Sequence, residues 1–164
     1  MSTRGSARKS APKPLPDGRA PGYPQITPSF CVRDAEAAIR FYETAFGFEL
    51  DFSMPGPDGS GIGHAQLTFH GGRIMISPEG AMGGTTRAPA TTGQEQPGSL
   101  YVYCPDVDAF TAHARAHGAR VVNEPMDMFW GDRMAYLEDL DGYRWAFATN
   151  TGPFDPSKIP SGGH

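Results

Sequence analysis

At 164 residues the chain has the size of one domain and enough apolar side chains to bury a core. Its formal charge of -4 is unevenly spread: residues 1–22 carry five Arg or Lys against Asp17, which leaves nine basic and seventeen acidic residues in the remainder. An acidic folded part disfavours nucleic acid as a partner, and the absence of a long apolar run or signal-type stretch points to a cytoplasmic chain without a membrane partner.

Residues 1–24, rich in Pro, Ser, Gly and Arg, have little to bury and read as a disordered basic leader. Ile26 to Val32 then reads as a strand with apolar Ile26, Phe30 and Val32, interrupted by Pro28. Asp34 suits a helix cap, Ala35, Ile39, Tyr42 and Phe46 make one apolar stripe, and Gly47 provides a stop. Three further strands follow, turning at Pro55 to Gly61, and module one spans about 25–78. A Gly-, Thr-, Ala- and Pro-rich linker covers 79–98.

The same order then returns. Phe30-Cys31-Val32-Arg33-Asp34 answers to Tyr103-Cys104-Pro105-Asp106, Gly47-Phe48 to Gly118-Ala119, and Gly72-Arg73-Ile74-Met75-Ile76 to Tyr143-Arg144-Trp145-Ala146-Phe147. Module two therefore spans about 99–149, with a helix from Asp106 to His117 whose stripe is Val107, Phe110 and Ala114, and a flexible tail at 150–164. One long period means two copies of a single supersecondary unit. The expected fold class is α+β: two tandem βαβββ modules forming a cup-shaped mixed sheet with the helices outside. Cys31 and Cys104 fall at matching points and read as free thiols of a cytosolic chain.

Strand parity separates two faces. Phe30, Val32, Ala65, Leu67, Phe69, Ile74 and Ile76, then Leu100, Val102, Ala135, Leu137, Trp145 and Phe147, belong beneath the helices. The second face carries Thr27, Cys31, His64, Gln66 and Met75, then Ser99, Tyr101, Tyr103, Met134, Tyr136, Glu138 and Ala146. Such a face either meets solvent or, if the copies curl together, lines a cavity.

Val32-Arg33-Asp34-Ala-Glu-Ala-Ala-Ile-Arg-Phe-Tyr42 leading to Ala45-Phe46-Gly47-Phe48 resembles the vicinal oxygen chelate superfamily of glyoxalase I, bleomycin-resistance proteins, fosfomycin-resistance enzymes and extradiol dioxygenases. Phe129-Trp130-Gly131-Asp132-Arg133 and Glu138-Asp139-Leu140-Asp141-Gly142-Tyr143-Arg144-Trp145 are similar to its PhnB-like and bleomycin-resistance-like branch. In metal-dependent members, as the resemblance implies, the first and last strand of each module supply His, Glu or Gln to a divalent ion. The matching positions here are Thr27, Met75, Ser99 and Ala146, none of them a competent ligand. The resemblance thus implies a cup without the metal site; no cofactor is expected.

The remaining candidates divide between binding and catalysis. His64, Gln66, Met75, Tyr101, Tyr103, Trp130 and Tyr136 are the expected ligand-binding residues, and His64 and Glu138 the candidates for acid-base work or for a divalent metal held with Gln66. His113 and His117 share a helix face but lack a third ligand and read as surface residues; Asp132 and Arg133 read as braces of the Trp130 loop. Cys31 reads as a buried thiol rather than a nucleophile. The expected function is metal-free binding of a planar or cationic small molecule by a homodimer, as in bleomycin-resistance proteins. The alternative is a glyoxalase- or dioxygenase-like lyase, isomerase or oxygenase with an unusual metal or none.

Overall fold

The computed structural model describes residues 15–159. Of the expected leader, residues 1–14 lie outside the described part, as do 160–164 of the expected tail. The elements run β1 (Ser29–Val32), α1 (Ala35–Phe46), β2 (Glu49–Pro55), β3 (Ile62–Phe69), β4 (Gly72–Pro78), α2 (Pro89–Thr92), β5 (Leu100–Tyr103), α3 (Val107–Ala116), β6 (Arg120–Asp127), β7 (Asp132–Glu138) and β8 (Arg144–Asn150). They form two four-stranded mixed sheets of matching order, β1-β4-β3-β2 and β5-β8-β7-β6. In each, the first strand pairs parallel with the last, and the helix between the first two strands makes that pairing possible.

The predicted helices form for the expected reasons. Asp34 accepts from the Ala37 amide and Asp106 from the Ala109 amide, each at 3.0 Å, and Gly47 closes α1 in the left-handed region at φ 71°. The α3 end differs: His117 is the cap and Gly118 follows it. β1 is shorter than expected, because the chain joins the sheet only after Pro28, whose carbonyl accepts from the Met75 amide. Ile26, expected as an apolar residue of this strand, is consequently 81% exposed.

The two helix-bearing faces share one core. Phe46 of α1 lies 5.5 Å from Trp145, 5.0 Å from Phe147 and 6.0 Å from Phe110 between ring centroids, so module one's helix packs on module two's sheet. Each sheet is a half-cup with its helix on one side. Since those sides face each other, the two second faces of one chain point apart and do not close over a common space.

A buried carboxylate ties the halves together. Asp139, in the β7–β8 turn, accepts from the Tyr42 hydroxyl at 2.7 Å, the Trp145 indole at 2.9 Å and the backbone amides of Asp141 and Tyr143. Burial pushes this carboxyl up despite the bonds from Trp145 and Tyr42, and burial with the nearby Asp139 charge pushes the Tyr42 hydroxyl well up. The same turn reaches β1 twice more: Asp141 accepts from the Arg33 amide and Nε, each at 3.0 Å, while the Tyr143 hydroxyl accepts from the Cys31 amide at 3.2 Å and donates to its carbonyl at 2.8 Å. Tyr143 thus satisfies a peptide group on the outer side of β1, which no strand among the described residues covers.

The expected linker is docked. Ala88 is fully buried, its amide donates to Glu79, and the Ala90 amide donates to the Asp141 carbonyl. Asp139→Ala would leave four buried donors without an acceptor and should cost about 3 kcal/mol or more, against about 1 kcal/mol for Tyr42→Phe. Urea unfolding of both variants checks the order.

Candidate functional site

The second face of module two carries the more organised group. Tyr101 and Tyr103, on the edge strand β5, send their hydroxyls across β8 to one oxygen of Asp132 on β7, at 2.7 and 2.9 Å. Tyr101 pairs with Ala146 and Tyr103 with Ala148, and Met134 pairs with Ala148. The rings therefore cross over two fully buried alanines and lie along the sheet; longer side chains at 146 and 148 would lift them. Asn150 donates to the other Asp132 oxygen at 2.8 Å, and the Trp130 indole donates to the Tyr101 hydroxyl at 3.2 Å.

Asp132 is the residue whose role the sequence reading missed. It is buried, whereas Tyr101, Tyr103 and Trp130 are 43%, 58% and 37% exposed. Burial pushes its carboxyl up, but hydrogen bonds from Tyr101, Asn150 and Tyr103 outweigh that and leave it below its ordinary value. Burial and the bond to Asp132 push the Tyr101 hydroxyl to about 12. The result is an exposed floor of two tyrosines fixed from below by an anion. Asp132 stands at the start of an inward-facing parity set with Met134 and Tyr136, which was the available signal.

Trp130 is held by its loop. Gly131 has φ 96°, and a Cβ there would collide with the Gly152 carbonyl oxygen. The Gly131 carbonyl in turn accepts from the amides of Thr151 and Gly152, while Phe129 packs edge-on against Trp130 and Phe154. Arg133 does brace this end, pairing with Asp108 and Asp127.

The other candidates are dispersed. His64 lies on module one in a cavity of about 880 Å³ shared with Met54, Ile62, Ser77 and Met82. Its Nδ1 is 3.2 Å from the Ser77 hydroxyl and its Nε2 is 3.4 Å from the Gln66 amide nitrogen. Met75 pairs with Gln66 on the same sheet. Glu138 is on the other sheet, in a two-pronged ion pair with Arg120, so His64 and Glu138 are not brought together. Tyr136 packs beside Met134 and borders a separate cavity of about 250 Å³ with Asn123 and Arg144.

His113 accepts no ligand role: its Nε2 lies 2.8 Å from the Thr44 carbonyl, joining α3 to α1. Cys31 and Cys104 are free thiols; burial, then the charge of Glu79, pushes the Cys31 thiol up, away from nucleophilic thiolate. The four positions matching the family's metal ligands offer two neutral hydroxyls (Thr27, Ser99), a thioether (Met75) and no donor at all (Ala146). That set does not fit a hard or borderline divalent ion. Among the described residues, no three His, Cys, Asp or Glu side chains gather as an alternative.

Residues 24–147 match the model of the Glyoxalase/Bleomycin resistance protein/Dioxygenase superfamily. The chain belongs to that superfamily. A protein of Mycobacterium tuberculosis strain H37Rv, described as uncharacterized, is 35% identical over 125 residues, covering 75% of this chain and 72% of its own. Among solved structures, TioX from Micromonospora sp. ML1 is 26% identical with a TM-score of 0.58, over 76% of this chain and 98% of that one. A glyoxalase/bleomycin resistance protein/dioxygenase from Nocardioides, 23% identical with a TM-score of 0.57 over 84% of this chain and 90% of its own, shares the fold.

Asp132→Ala should leave the Tyr101, Tyr103 and Asn150 groups without their acceptor and lower stability by about 2–3 kcal/mol in denaturant unfolding. The pH dependence follows from the direction of the shift. A carboxyl held below its ordinary 3.8 stabilises the fold above that value and loses the contribution as pH falls through its folded value. Acid unfolding of the wild type should therefore be displaced to lower pH relative to Asp132→Asn.

Proposed function

We propose that this chain is a metal-free binding protein for a planar or cationic small molecule, on the bleomycin-resistance and PhnB-like side of its superfamily, with drug or antibiotic sequestration as its role. The tyrosine floor over Asp132 carries this reading. A tyrosine hydroxyl donating to a carboxylate enriches its ring in electron density, and an exposed pair of such rings beside Trp130 favours a stacked or cationic partner. The acidic balance beyond residue 22 adds an attractive field for cations.

The proposed unit is a single domain at 25–149 that pairs as a homodimer in the cytoplasm. Phe52, Met54, Tyr101, Tyr103, Met126 and Trp130 are all exposed on the single chain, and a second copy laid over these faces would enclose a cup that one chain leaves open. Among the described residues no helix is long and apolar enough to cross a membrane.

A second reading, an enzyme of lyase, isomerase or oxygenase type, draws on His64 and Ser77 in the larger cavity. Hydrogen-bond direction weighs against it. Gln66 Oε1 accepts from Tyr23 and Arg73, so its amide nitrogen donates to His64 Nε2, and Nδ1–H is left to donate to Ser77. The serine is then an acceptor, not a hydroxyl being deprotonated, and the imidazole lacks a free basic nitrogen.

Trp145 is fully buried, which leaves Trp130 as the solvent-facing indole. Titration with a panel of glycopeptide, quinone and heteroaromatic compounds should change its fluorescence, and Trp130→Ala should weaken binding about tenfold, the worth of one stacking contact of about 1.4 kcal/mol. Absence of any response across the panel would sink the reading. Metal analysis of protein purified without chelator should find no stoichiometric divalent ion, and light scattering should give twice the 17.6 kDa chain mass.

A further inference from the structure

We propose that the segment Leu15–Tyr23 is a displaceable strap, that its Tyr23 occupies a subsite for a phenolic ring on module one, and that a phenol bearing an acidic substituent enters by taking that ring's place. This rests on the ligand-binding reading above and extends it to the second face of the first sheet.

Tyr23 lands on the second face of the first sheet. Its hydroxyl donates to Gln66 Oε1 at 2.7 Å, and the Arg73 guanidinium carbon stands 4.2 Å from its ring centroid. The strap is braced within itself: Arg19 donates to Asp17 and, at 2.9 Å, to the Tyr23 carbonyl, and the Leu15 amide donates to the Arg19 carbonyl. Among the described residues, Tyr23 makes the strap's one hydrogen bond to the body. A preformed hairpin-like segment held by one aromatic ring is suited to leaving as a unit.

What lies beneath is built as a binding site. Gln66 is 8% exposed, and the Arg73 side chain 9%. Arg73 Nη1 pairs with Asp51 and donates to Gln66, while its Nε is buried without a hydrogen-bond partner among the described residues. The strap covers the guanidinium face but brings no acceptor to that Nε. A buried donor left unmet is costly, and packing for its own sake does not call for one. A phenol matches Tyr23 in ring and hydroxyl, and an acidic substituent adds the missing acceptor. Gln66 also touches His64, so the exchange is felt in the larger cavity.

The test uses p-cresol, toluene, and 3- and 4-hydroxybenzoate on the full chain. Tyr23→Ala should bind p-cresol about tenfold more tightly than the wild type, in which the strap must first leave. Toluene should show no such gain, and one of the two hydroxybenzoates should bind Tyr23→Ala more tightly than p-cresol. In the wild type, p-cresol and that hydroxybenzoate should accelerate tryptic cleavage after Arg19, and Tyr23→Phe, which keeps the ring but not the hydroxyl, should be cleaved faster without ligand. The cleavage arm stands even if Tyr23→Ala fails to fold. Equal p-cresol affinity in the two proteins, equal gain with toluene, weaker binding of both hydroxybenzoates, or cleavage that ligand leaves unchanged or slows would overturn the proposal. If the Trp130 signal still responds to the wider panel, only the strap is refuted; silence at both places refutes the binding reading as well.

Discussion

The architecture depends on one buried acid. Asp139 gathers a tyrosine from α1, the indole of β8 and two amides of its own turn, and so ties module one's helix to module two's sheet at the heart of their shared aromatic core. Aromatic packing is strong but tolerant of rotation; the bond from Tyr42 to a carboxylate already held by three donors of its own module is directional. With Arg33 on Asp141 and Tyr143 on Cys31 alongside, the β7–β8 turn acts as a clasp on the edge of the first sheet. Both half-cups take their orientation from it.

Local pattern made much of the fold legible. Helix caps, apolar stripes and strand parity each depend on neighbours in sequence, and the duplicated order of elements supplied the topology. The packing of α1 against Trp145 and Phe147 was not legible, because parity says which face is apolar and not which apolar face it will meet. The same limit applied to the candidate site. Parity placed His64 and Glu138 on second faces, but those faces belong to different sheets turned apart. Asp132 passed for a loop brace because its partners, Tyr101 and Tyr103, arrive from thirty residues away, beyond any local pattern. Tyr23 was hidden for the converse reason: the composition around it is that of a solvated leader, and a single aromatic residue among Pro and Gly carries no periodicity.

Comparison of the copies shows how far equivalent surfaces have diverged. On the first sheet the buried charge is a cation, Arg73, with an aromatic ring laid over it. On the second it is an anion, Asp132, with aromatic rings drawn down to it. The scaffold repeats while the electrostatic character inverts. Because the two surfaces point apart on one chain, only a ligand held between two copies could meet both polarities.

Ala146 joins two aspects of this history. It occupies a position where metal-dependent relatives would carry a ligand, and it is also the floorboard beneath the Tyr101 ring. A carboxylate restored there would fill the space the ring now uses and set a second negative charge beside Asp132. The small residue at 146 is therefore what lets the Tyr101 ring lie flat toward Asp132, and a metal-binding side chain and an aromatic floor cannot both occupy this place on the sheet.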